Sequence, residues 1–149
     1  MTAGHLGPRT VALVGLGGVA GALARHGVAG LLPPLEATLV VNVVGSFVLG
    51  VVLYEAIHLG AVPREARLVV ATGFLSSLTT YSTFAVQTVG VTPSIAAANV
   101  AANYCLGFVA VAVGRLVALR VAVRRGGDGS GGVDDGAGLD GGADAGVET

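Results

Sequence analysis

The chain has 149 residues, of which 53% are hydrophobic and only 11% charged, with a formal net charge of −1. A soluble domain of this size carries roughly a quarter charged residues, so this composition excludes an ordinary water-soluble globule. With one cysteine it also excludes an intramolecular disulfide and a multi-thiolate metal centre, and nothing basic and aromatic points to nucleic acid as a partner.

A helix needs about 20 mostly apolar residues to cross the hydrocarbon core of a bilayer. Four such stretches are predicted, and they give an all-α membrane protein. After an N-terminal segment of residues 1–9, the first span runs over about 10–32 and stops at Pro33-Pro34. Its glycines Gly17, Gly18 and Gly21, with Ala22, form a face of small residues that permits close helix approach in lipid. No Lys-Ser or Lys-Thr follows them, so a phosphate loop is not the reading. Arg25, near the far end of this span, has to reach the interface, pair, or face a watery cavity that attracts anions.

The second span, about 37–59, is closed by Gly60 and Pro63, and its Asn42 and Ser46 share a helical face. A primary amide in lipid is costly unless it bonds another helix or lines a wet path. The third span, about 68–90, lies in a run from Leu68 to Gly114 with no Asp, Glu, Lys, Arg or His. Within it, residues 76–83 hold six Ser or Thr and Tyr81 in eight positions. Hydroxyls can bond carbonyls one turn back and bend a helix, and this many together predict a break near the middle of the span. A break at membrane depth is tolerated where it is buried in protein or lines a cavity, so the functional centre is placed there.

The fourth span, about 94–119, begins after Pro93 and sets Asn99, Asn103 and Gly107 at four-residue steps on one stripe. Cys105, in the same span, reads as a small apolar packer, and His5, His26 and His58 as solvated or interfacial. Residues 10–125 form one four-helix domain on this reading. Residues 126–149, rich in Gly with six acids, cannot bury enough apolar surface to order and are expected to be a disordered tail. The N-terminal end, second loop and C-terminal end carry Arg9, Arg64, Arg67, Arg120, Arg124 and Arg125, against Arg25 towards the other side. That asymmetry predicts both termini in the cytoplasm of a multi-pass cell-membrane protein. No nucleophile stands beside a base in sequence, so an enzyme is not expected.

Three motifs then agree. Gly17-Gly18-Val-Ala-Gly21-Ala-Leu-Ala-Arg25 resembles G-G-x-x-G-A-x-x-R, and Leu39-Val-Val-Asn42-Val-Val-Gly45-Ser-Phe-Val-Leu-Gly50 resembles L-x-x-N-x-x-G-(S/A)-F-x-x-G. Gly73-Phe-Leu-Ser-Ser-Leu-Thr-Thr-Tyr-Ser-Thr-Phe84 resembles G-F-C-G-G-(L/F)-T-T-F-S-T-F. These are the signatures of the small fluoride channels, the Fluc or CrcB family, in the right order over about residues 10–120. The resemblance implies a passive fluoride exporter built as an antiparallel, dual-topology dimer of four-helix subunits with two narrow pores and a central structural Na⁺. By matching position it implies Asn42 as the pore amide and Tyr81 and Phe84 at the family's two phenylalanine sites. Thr80, Ser82 and Thr83 become nearby hydroxyls, and the backbone carbonyls of Ser76 and Thr79 become Na⁺ ligands.

The chain departs from the family at Ser76 and Ser77, which replace paired glycines, at Tyr81, and at a fourth-span serine missing near Gly107. The strong arginine bias departs too, because a chain that inserts both ways needs little bias. The expected partners are therefore the bilayer, fluoride, and either a second copy or an oppositely oriented four-helix paralogue. The alternatives are a non-conducting or heterodimer-only subunit of such a channel and a small proton-coupled multidrug transporter. The last needs a carboxylate within the membrane, whereas Glu36 and Glu55 lie near span ends.

Overall fold

The computed structural model describes residues 7–127, and the N-terminal residues 1–6 and nearly all of the expected tail lie outside the described residues. Five helices follow in chain order: α1 (Pro8–Ala29), α2 (Pro34–Leu59), α3 (residues 64–78), α4 (Tyr81–Val89) and α5 (Pro93–Gly127). No strand occurs among the described residues. Counting α3 and α4 as one interrupted span, Arg64–Val89, four segments are long and apolar enough to cross a membrane.

The starts of the helices are set by proline. Pro8 and Pro34 stand in the first turns of α1 and α2, where a missing N–H costs nothing and φ is already helical. Each helix therefore begins earlier than its apolar run suggests. α1 ends at Ala29 rather than residue 32, because Gly30 and the approach to Pro33 disfavour further helix. α2 ends at Leu59 in a widened π-helical turn, with Gly60 at φ 58°. Only glycine takes that left-handed conformation without strain. α5 continues past the expected residue 119 to Gly127, since arginine and valine-rich turns carry no helix breaker before Gly126-Gly127.

Two seams of glycine hold the helices together. Gly17 lies so near α3 that a Cβ built there would stand 2.7 Å from the Val69 carbonyl oxygen, and Gly21 packs likewise on the Phe74 carbonyl. Gly73 answers from α3 against the Val14 carbonyl. On the other side Gly50 of α2 meets Val111 of α5, and Gly114 of α5 meets Phe47. Without a hydrophobic drive between helices in lipid, such close backbone approach supplies the packing energy. The face of small residues read from α1 is thus a contact with α3.

At one end, Thr10 Oγ1 donates to Glu65 Oε1 at 3.2 Å and Arg67 lies 3.4 Å from Glu55. The start of α1 and the α2–α3 loop therefore share that end, and α5, running parallel to α2 through the Asn42–Asn103 and Gly50–Val111 contacts, brings its C-terminal part there too. Large apolar side chains such as Leu16, Leu23 and Phe108 are exposed on the single chain, the pattern of a surface that meets lipid or another subunit. Cys105 is exposed on α5 rather than packed inside. The buried centre is small: Val41, Leu75 and Leu78, with Val48 and Phe74 against them.

Candidate functional site

The third span is interrupted at Thr79-Thr80. α3 stops after Leu78, Thr79 is extended (φ −77°, ψ 155°), Thr80 is extended (φ −149°, ψ 124°), and α4 starts at Tyr81. The local sequence explains the stop. Ser76 Oγ donates back to the carbonyls of Thr72 and Gly73, and Thr79 Oγ1 donates to the Leu75 carbonyl at 2.9 Å. These bonds compete with the helical ladder. Thr80 then caps α4, accepting from the Thr83 N–H at 3.2 Å. Upstream, the seven residues Val69–Leu75 are already widened to π-helix, which opens the ladder before it breaks.

Asn42 of α2 closes the gap. Its Oδ1 accepts from the Thr80 N–H at 3.0 Å, and its Nδ2 donates to the Thr80 carbonyl at 3.3 Å. The same amide donates to Asn103 Oδ1 at 3.1 Å. Asn103 Nδ2 reaches Asn99 Oδ1 and the Asn99 carbonyl, each at 3.0 Å; Asn99 Nδ2 reaches Thr88 Oγ1 at 2.8 Å, and Thr88 donates to the Phe84 carbonyl at 2.7 Å. A continuous amide relay so links the interruption to α5 and back to α4. Because the Thr80 N–H goes to Asn42 and the Thr83 N–H to the cap, the carbonyls of Ser76 and Thr79 accept no backbone hydrogen bond among the described residues.

Around this junction lies an open cavity of about 570 Å³ whose walls include Asn42, Ser76, Thr79, Thr80, Tyr81 and Phe84. Phe84 is buried, with its ring edge-on to Tyr104 (centroids 6.3 Å apart, 84°). Tyr81 lies 6.0 Å from Phe84 but is 74% exposed, facing outward. Thr80 Oγ1 is 3.4 Å from Ser82 Oγ and donates to Thr83 Oγ1 at 3.1 Å. The Thr83 hydroxyl, itself the acceptor there, keeps its hydrogen for another partner.

Arg25 is not in that cavity. It lines a second one of about 320 Å³ between α1, α2 and α4, with His26, Thr38, Thr83 and Gln87. Thr80 borders both spaces, so the interruption stands between them. Sequence reasoning noticed the Asn99 and Asn103 stripe without assigning it to the site; the four-residue spacing was the available signal. Tyr104, Thr38 and Gln87 were missed, and Gln87, the amide in an otherwise apolar turn of the third span, was the visible clue.

The family model described as CrcB-like protein, Camphor Resistance (CrcB), matches residues 12–115. The chain belongs to the CrcB family. Among its CrcB relatives, "Fluoride-specific ion channel FluC 1" of Natronomonas pharaonis is 60% identical, covering 74% of this chain and 94% of that one. The protein of the same name from Haloarcula marismortui is 56% identical over 72% and 84%, and "Fluoride-specific ion channel FluC 2" of Halobacterium salinarum is 48% identical over 74% and 87%.

Proposed function

We propose that this chain is a fluoride-specific channel that lowers cytoplasmic fluoride by passive export across the cell membrane. The observation that carries this reading is the Asn42–Thr80 junction, where an interrupted helix, an amide and hydroxyls meet between two cavities. The names of the CrcB relatives support the choice of ion. Fluoride holds its water tightly, so a pore must offer replacement donors without a fixed cation that would trap it. Asn42 Nδ2 and the Thr83 hydroxyl are neutral donors of that kind, and Ser82 and Tyr81 add two more. The acceptors that Asn42 Nδ2 meets, Asn103 Oδ1 and the Thr80 carbonyl, are neutral, so an anion competes with them for the same donors. Phe84 lines the first of these spaces, and an aromatic edge carries partial positive charge that an anion can meet. Export needs no fuel: an interior-negative potential drives an anion outward by about 2.3 kcal/mol per 100 mV.

In this reading the interruption lies near mid-membrane, both termini face the cytoplasm, and Arg25 attracts anions into the second cavity. The working unit is an antiparallel dimer. The arginine bias favours a fixed orientation for this chain and an oppositely oriented paralogue as its partner, and relatives numbered FluC 1 and FluC 2 are in keeping with that. The carbonyls of Ser76 and Thr79 suit a structural Na⁺, since hard cations take oxygen ligands and these two oxygens lack a backbone donor. When bound, the ion supplies a fixed positive charge that holds the interrupted backbones in place.

The test is fluoride efflux from liposomes holding the full chain alone and with a paralogue, measured with a fluoride electrode. Protein-dependent efflux in either case, lost with Phe84→Ile, supports the channel; none in both would contradict it.

A further inference from the structure

The second cavity contains a group that the ion pathway has not used. Gln87 Oε1 is buried with no hydrogen-bond partner, and Gln87 lines the space shared by Arg25 and His26. A buried acceptor without a protein donor is met by water, and about 320 Å³ has room for about ten water molecules at about 30 Å³ each. A wet cavity lets an imidazole exchange its proton with bulk solvent. His26 is itself exposed, one residue from Arg25, and it lies at the end of α1 nearest the α1–α2 loop.

We propose that His26 makes anion capture in this cavity proton-linked, so that fluoride binds more tightly as the pH of the compartment it faces falls. The proposal rests on the channel reading for the identity of the anion. The charged and titratable groups around His26 are few. From α1 there is Arg25; α4 contributes the neutral Gln87 and Thr83; α2 contributes Thr38, with Glu36 exposed in its first turn and not among the lining residues. Among the described residues neither Arg25 nor His26 makes an ion pair with Glu36. The lining is therefore cationic or neutral, carrying one positive charge when the imidazole is neutral and two when it is protonated.

The sign follows directly. A protonated imidazole adds a second positive charge to this lining. A second positive charge about 4 Å from an anion in a water-screened space changes binding about fivefold. Proton and anion then favour one another reciprocally.

Fluoride binding to the full chain in nanodiscs, followed by ¹⁹F NMR at pH 8 and pH 5.5, tests this without requiring conduction. The expected result is about fivefold tighter binding at pH 5.5, abolished in His26→Gln and retained in Glu36→Gln. A pH-independent affinity, an unchanged pH effect in His26→Gln, or absence of binding at both pH values overturns the proposal. Proton-linked binding without liposome efflux would sustain it while removing the channel reading.

Discussion

Asn42 makes three hydrogen bonds with one amide, and two of them go to the backbone of a single residue in the interruption of the third span. That pattern is a substitute for the helical ladder that Thr80 has left, and it explains why an amide is tolerated in an apolar span. Asn42→Asp keeps the shape but replaces both N–H donors with a negative oxygen. It should lower fluoride efflux by more than about a hundredfold, because a like charge about 4 Å from the anion costs on the order of 4 kcal/mol at a protein-like dielectric. Thr80→Ala removes the cap of α4, and a loss of about 1 kcal/mol in stability is expected in a thermal or denaturant titration in detergent. Asn42 stood out in the sequence as a lone amide in a hydrophobic run. Its bond to Thr80 was not, because the pairing spans 38 residues and depends on how two helices pack.

At the scale of elements, the third span shows what local chemistry can and cannot reveal. Six hydroxyls in eight residues singled out residues 76–83, and the extended backbone at Thr79 and Thr80 lies within that window. The π-helical stretches at Glu55–Leu59 and Val69–Leu75 left no signature, since one extra residue per turn suits many side chains and is decided by packing. The predicted boundaries drifted for a similar reason: hydropathy marks where lipid ends, whereas proline and glycine mark where helix ends. The small-residue face of α1 was legible, but its partner was not. Gly21→Val would push a side chain into the Phe74 carbonyl and part α1 from α3. Overpacking of this kind costs about 1–3 kcal/mol, and the expected outcome is a lower melting temperature in detergent with reduced yield of assembled protein. Gly15→Val, where nothing lies within 4 Å, should be near neutral in the same assay.

For the whole molecule, the shared end of α1, the α2–α3 loop and α5 carries Arg9, Arg64, Arg67 and Arg120, while the opposite end has Arg25. That division predicts one orientation in the membrane. In a Cys105→Ser background, Ser94→Cys and Arg120→Cys should label from opposite sides of sealed vesicles, each from one side only; equal labelling of both from both sides would contradict a fixed orientation. The large apolar side chains left exposed on a single copy agree with lipid or a partner covering them. Composition foretold the four spans, whereas the cavities on either side of Thr80 could only be seen once the helices were packed. The account rests on the interrupted third span and Asn42 stripping water from fluoride. Its most direct test is the fluoride and chloride flux of liposomes containing the full chain, with its paralogue where required, set beside the Asn42→Asp variant. The account predicts fluoride flux far above chloride and its near-total loss in the variant; equal fluxes of the two halides, or a variant that conducts fluoride like the parent, would contradict it.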